Sequence, residues 1–251
     1  MIISHKYKYI FIGLPFSGSS AISKELIEQY EGEPLFHKHA NIPLLHKIMP
    51  SLNLEEYYIF VVVRDPLEMC FSVYNKHLAN PYNTFTDSQY FIENGGFVSQ
   101  KARKFYKRVQ AQKMTFEDFL KAKYHLAPYD DNLTINSKYL DGVLRFDQLT
   151  SDFENLLLKL GITPQRELPV YNKTNKKTKD YIISEKTFQN IFSAFILQHK
   201  ALFNEMQYPK PTIMNIVRFK IKSYLRFYKV LKYDLKQMNN SFSIKDLNNE
   251  R

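Results

Sequence analysis

The chain has 251 residues, enough for one sizeable domain with a real core, or one domain plus an appendage. Its single cysteine, Cys70, excludes an intramolecular disulfide framework and a cysteine-based zinc site. A formal charge of +10 suits a polyanionic partner, a phosphate-rich cofactor or an anionic membrane surface, without choosing among them.

The opening "MIISHKYKYIFIGL" reads as the first core strand, with residues 7–13 buried. No secretory leader or membrane span is legible in it, so the expected location is cytoplasmic. "GLPFSGSS" (13–20) follows at once, then "SSAISKELIEQY", whose Ala21, Ile22, Leu26 and Ile27 fall at helical spacing. Strand, glycine loop, helix is the opening of an α/β domain. "PLFHKH" (34–39) reads as a second short strand and "IPLLHKIM" as a short helix.

"YYIFVVVRDP" carries seven consecutive apolar or aromatic residues, the mark of a central parallel strand buried on both faces. Pro66 suits the first turn of the helix "LEMCFSVYNKHL". Residues 81–136 are polar, aromatic and irregular, with helical patches at 98–110 and 115–124. "YLDGVLRFDQL" (139–149) reads as another strand, feeding the helix "TSDFENLLLKLGI". Thr150 or Ser151 is the expected cap there and Gly161 the expected close. Residues 184–206 and 212–238 pattern as further helices, with a domain boundary only near "PKP" at 209–212.

The loop of residues 13–20 has the outline of an anion cradle. Glycines and small residues at a helix amino terminus let backbone N–H groups approach a phosphate. Taken alone, it reads equally as a tight turn with a serine cap. It lacks the lysine that spans the terminal phosphates of a nucleoside triphosphate, which argues against nucleotide hydrolysis. A second motif adds to it: Arg64 ends the buried strand and Ser72 stands eight residues later, two helical turns on. Arginine and serine so spaced can converge on one anionic group.

The combination resembles the sulfotransferases that use 3′-phosphoadenosine 5′-phosphosulfate (PAPS). The segment Pro15, Phe16, Ser17, Gly18, Ser19, Ser20 matches that family's loop for the 5′-phosphosulfate. Arg64-Asp65-Pro66 with Ser72 matches its site for the 3′-phosphate, and "VLRFDQLTSDFENLLLKLGI" its later strand-and-helix segment. Family-like features run from about residue 8 to 175 in the family's order. The resemblance implies a three-layer, P-loop NTPase-like α/β fold with a central, mostly parallel sheet. It implies a PAPS-dependent transferase without a metal.

His37 and His39 in "FHKHAN" lie where the polysaccharide, uronyl 2-O-type branch carries an H-x-H pair, and "LPVYNKTNKK" resembles that branch's Asn-bearing loop. The resemblance implies a general base at one of the two, with His39 favoured, and a hydroxyl acceptor on a saccharide. On a strand both histidines share a face and Lys38 points away. Phe16 departs from the pattern, standing where relatives carry Lys or Arg. Lys38, Lys24 and the cofactor-loop Lys173 are the candidates to supply that charge, left unranked. The alternatives are a nucleotide-dependent phosphotransferase, or a catalytically weakened nucleotide-binding protein on the same scaffold.

The expected division is a catalytic domain over 1–210 and a basic helical extension over 211–251. From Val217, apolar residues recur at 221, 224, 225, 228, 231 and 235 among lysines and arginines. That pattern fits a packed terminal helix, a polyanionic acceptor, or a helix on the inner face of an anionic membrane. No nucleic-acid motif accompanies the charge, and the oligomeric state is not legible. On the membrane reading, full-length protein sediments with anionic but not neutral liposomes, and 1–210 protein with neither. Equal sedimentation of the two proteins with anionic liposomes would exclude it.

Overall fold

The computed structural model describes residues 1–124, 136–169 and 182–192, and beyond them 212–214, 216, 217, 221 and 224. Lys173 and most of the 212–238 stretch therefore lie outside the described residues. Two compact units are formed. The first contains residues 1–65 and 136–169, the second residues 66–124 and 182–192.

The first unit is built on a five-stranded sheet. The opening apolar run divides into β1 (Ile2–Ser4) and β2 (Tyr9–Ile12), an antiparallel hairpin in register Ile3↔Ile10. The single strand expected here is thus broken by a turn at 5–8, where Lys8 takes a φ of 52°. After α1 (Ser19–Gln29) comes β3 (Glu33–Pro34), antiparallel to β1. Then come α2 (Ile42–Ile48), capped by the Asn41 side chain, and β4 (Tyr58–Val63). β5 (Gly142–Arg145) and α6 (Leu149–Lys159) complete the unit; α3 to α5 belong to the second. The strand order is β3-β1-β2-β4-β5, and β2, β4 and β5 are parallel neighbours. Only β1 opposes the others in direction, so the sheet is mostly parallel.

Alternation along β2 and β4 sends Tyr9, Phe11, Phe60 and Val62 to one face, where they pack with Ile22 and Leu26 of α1 and Phe153, Leu156 and Leu157 of α6. Ile10, Ile12, Val61 and Val63 point the other way and are buried too. Burial on both faces explains why β4 reads as an unbroken apolar run. The Phe60 ring lies 5.1 Å from Phe11 and 6.1 Å from Tyr9. Glu25, fully buried on α1, accepts from Nε and Nη2 of Arg166 at 2.7–3.2 Å, so its charge is paired rather than stranded.

Two local expectations are corrected. Strand β3 stops at Pro34, and residues 36–39 form turns, with Phe36 at φ 60° and the Ala40 N–H donating to the His37 carbonyl. The alternation argument for His37 and His39 therefore does not apply. Neither Thr150 nor Ser151 caps α6. The Ser151 hydroxyl donates to the Gln148 carbonyl, while the Asp152 carboxylate reaches back to accept the Arg145 N–H at 2.7 Å. Gly161 does close that helix, as expected.

The second unit contains α3 (Pro66–Ala79), α4 (Gln100–Ala111), α5 (Phe116–Lys123) and α7 (Glu185–Phe192). Cys70, Val73, Val109, Phe119, Leu120, Ile191 and Phe192 form its core. His77 is buried among Phe85, Phe105 and Phe119, and burial pushes its pKa down to about 4. Glu117 of α5 receives the Ser184 and Thr187 hydroxyls and the Lys121 ammonium, tying α5 to α7. Those hydrogen bonds hold its carboxyl at about 2. Among the described residues no helix is long and apolar enough to cross a membrane.

Phe60→Ala empties the middle of the first core, and the expected loss is about 3–5 kcal/mol. Urea unfolding followed by circular dichroism measures it; a loss under 1 kcal/mol would show that the core is not organised around this ring.

Candidate active site

The loop between β2 and α1 is shaped by its glycines and its buried serines. Gly18 is the N-cap of α1 at φ 80°, ψ 7°, a left-handed conformation that glycine takes without steric cost. Ser17 and Ser19 are buried, and both hydroxyls donate to the Leu14 carbonyl at 2.9 Å. They fold the loop on itself and are not aimed outward as donors. What faces outward is backbone: the first amides of a helix have no acceptor within it, and the helix dipole adds positive potential there. Phe16 also stands at positive φ, 60°, with its side chain 43% exposed.

Arg64 leaves the end of β4 beside this loop. Its Nη1 donates to the Phe16 carbonyl at 3.5 Å, and its guanidinium lies 4.3 Å from the centre of the Phe146 ring. Phe146 follows β5 directly. The same ring packs on Gly18, where an added Cβ would meet its edge at 2.8 Å. One aromatic side chain thus touches both anion motifs. In "VLRFDQL" the sequence marks Phe146 only as an aromatic directly after a parallel strand, beside an arginine.

The turn of residues 37–39 closes on the other end of the loop. Gly13 admits it, since a Cβ there would lie 2.9 Å from the Lys38 carbonyl. The His39 Nδ1 is 2.6 Å from the Gly13 carbonyl. A carbonyl only accepts, so Nδ1 carries the hydrogen and, in the neutral ring, Nε2 keeps its lone pair. Burial holds this imidazole below its ordinary pKa, and the neighbouring Lys38 charge pushes the same way, against the Gly13 hydrogen bond. The Lys38 ammonium donates to the Ser20 hydroxyl at 2.6 Å. Lys24, by contrast, pairs with Glu28 at 3.5 Å.

The structure therefore gathers the loop Pro15–Ser20, Arg64, His39 and Lys38 within the first unit. His37 lies on the same turn as His39, its carbonyl accepting from Ala40. Ser72 stands half-buried in the second turn of α3. Among the described residues no group of three or more His, Cys, Asp or Glu side chains is placed to hold a metal ion.

Helix-terminal amides, an arginine and an imidazole thus lie together within the first unit, at the strand ends of an α/β sheet. The model of the Sulfotransferase family matches residues 1–238, and the chain belongs to that family. Its chemistry is sulfuryl transfer, on a mixed α/β fold. No curated protein and no solved structure matches the chain.

Gly18→Ala forces a left-handed alanine, about 1–2 kcal/mol, and drives a methyl into the Phe146 ring. The thermal midpoint should fall, and adding Phe146→Leu should recover part of the loss. Additive losses in the double variant would show that the ring and Gly18 are independent.

Proposed function

We propose that the protein transfers a sulfuryl group from PAPS to a hydroxyl of a saccharide, with His39 as general base. The reading is carried by the meeting of Arg64 with the Phe16–Gly18 loop around one ring. The residues present fit such a donor: the loop of residues 13–20 carries no carboxylate of its own and ends at the amino terminus of α1, whose first amides have no acceptor within the helix. Loop amides of residues 17–20 bind the 5′ end, while Arg64 and Ser72 bind the 3′-phosphate.

In the transfer, the acceptor oxygen forms a bond to sulfur and the bond from sulfur to the bridging phosphate oxygen breaks. That electron pair stays on the phosphate, giving adenosine 3′,5′-bisphosphate. The acceptor proton goes to His39 Nε2, whose ring is held in orientation by the Gly13 carbonyl. Charge stabilisation and in-line placement do most of the work, as in phosphoryl transfer. The basic amphipathic pattern of residues 212–238 supports contact with an anionic membrane surface.

Calorimetry with adenosine 3′,5′-bisphosphate and with ATP tests the donor, and transfer of labelled sulfate to a glycan panel tests the acceptor. Binding of the bisphosphate over ATP is expected; the reverse preference would point to phosphoryl transfer. His39→Ala should lower turnover by about 10²–10⁴-fold and leave bisphosphate binding nearly intact. Because burial lowers the His39 pKa, the ring gives up its proton at a lower pH than an ordinary imidazole. The acid limb of the pH–rate profile should therefore have its midpoint below about 6.5, with a plateau through neutrality. A limb centred above 7 would remove His39 from the role.

A further inference from the structure

The loop of residues 13–20 contains no charged side chain, although it is read as holding the doubly charged phosphosulfate of the donor. A leaving phosphate gathers negative charge as the bond to sulfur breaks, and uncompensated charge in a partly dehydrated site raises the barrier. Three cations stand near the loop in the described structure, and their contacts separate them.

Arg64 is anchored on the Phe146 ring and directed at the Phe16 carbonyl. Lys24 is turned along α1, away from the helix amino terminus, toward Glu28, which is itself bound by Arg166. Lys38 is the one whose ammonium rests on the first turn of α1, at the Ser20 hydroxyl. That partner is neutral, so the charge of Lys38 is not cancelled by it. An ammonium has three donors, and one is used on Ser20. Ser20, having accepted from Lys38, still has its own hydroxyl proton to give.

Lys38 and Ser20 both line a cavity of about 420 Å³ that runs along α1 past Ser23 to Ile27, with Phe36 and the paired Lys24 and Glu28 on its wall. The Lys38 ammonium therefore borders open space beside the first turn of α1, where an anion held at Ser20 can reach it. Placement of the residue is fixed by backbone: Gly13 lets the Lys38 carbonyl approach, and the His39–Gly13 hydrogen bond holds the turn.

We propose that Lys38 supplies, from outside the loop, the positive charge that the loop lacks, binding the 5′ anion of the nucleotide together with Ser20 and hydrogen-bonding the phosphate oxygen released from sulfur. The proposal rests on the reading of the loop as a phosphosulfate cradle. It places donor charge and general base on adjacent residues of one turn, so the unit that activates the acceptor also stabilises the leaving group.

The test compares two nucleotides by calorimetry: adenosine 3′,5′-bisphosphate, and adenosine 3′-monophosphate, which lacks the 5′ anion. Lys38→Gln should weaken the bisphosphate about tenfold and leave the monophosphate unchanged, and Lys38→Arg should stay within about threefold of the parent. Moving the charge into the loop, Phe16→Lys with Lys38→Gln, should restore much of the bisphosphate affinity. Lys38 is exposed, so the glutamine variant keeps its fold. Unchanged bisphosphate binding in Lys38→Gln would overturn the proposal, as would equal weakening of both nucleotides, the mark of a structural prop. If the parent protein binds neither nucleotide, the donor reading itself falls and takes this inference with it.

Discussion

The stacking of the Arg64 guanidinium on the Phe146 ring, with Gly18 pressed against that ring's edge, joins three stretches of chain more than forty residues apart. It is possible only because β2, β4 and β5 are adjacent and parallel, so that their carboxyl ends emerge along one edge of the sheet. Each strand delivers one component there: β2 the loop, β4 the arginine, β5 the aromatic. Parallel pairing thus does more than bury apolar surface; it brings the loop, the arginine and the aromatic together at one sheet edge. A cation over an aromatic face contributes about 0.5–2 kcal/mol, rising as water is excluded. It also fixes the direction of a long side chain that would otherwise sweep through many rotamers.

A second set of contacts works on the opposite flank of the loop. Gly13 accepts the close approach of the 37–39 turn, and its carbonyl selects the His39 tautomer. The imidazole that results is oriented and lowered in pKa by burial, while the adjacent lysine is a donor. Opposite chemical properties are thereby placed on neighbouring residues by the backbone alone. The route to this arrangement is irregular structure: Phe36 at positive φ ends the extended chain after Pro34 and swings the turn toward the loop. Such a conformation is costly for a non-glycine residue and persists where surrounding contacts determine it.

Much of the framework was legible in the residues because its causes are local. The apolar run of β4, the helical spacing of α1 and the Pro66 start of α3 each follow from side-chain pattern, and the structure has them within a residue or two. The H-x-H turn was misread, since "PLFHKH" carries β-compatible residues while its conformation is set by contacts to Gly13, a residue twenty-six positions from His39. The cap of α6 was misplaced for the same reason: Asp152 serves the Arg145 amide, a strand-end partner that helix rules do not see. Phe146 carried no readable role, because its function depends on two partners distant in sequence. The interleaving of the two units was equally invisible, there being no linker composition at residue 65 to mark it.

That interleaving has a bearing on how the polypeptide matures as it is made. Residues 66–124 emerge from the ribosome before β5 and α6 exist, so the first sheet waits, with β4 unpaired on one edge, for a segment some eighty positions later. The second core waits longer still, since Ile191 and Phe192 are synthesised last among its members. Neither nucleus can close vectorially, and the apolar edge of β4 stays exposed for that interval. A nascent chain of this kind is a natural client for chaperones that shield hydrophobic strands during translation.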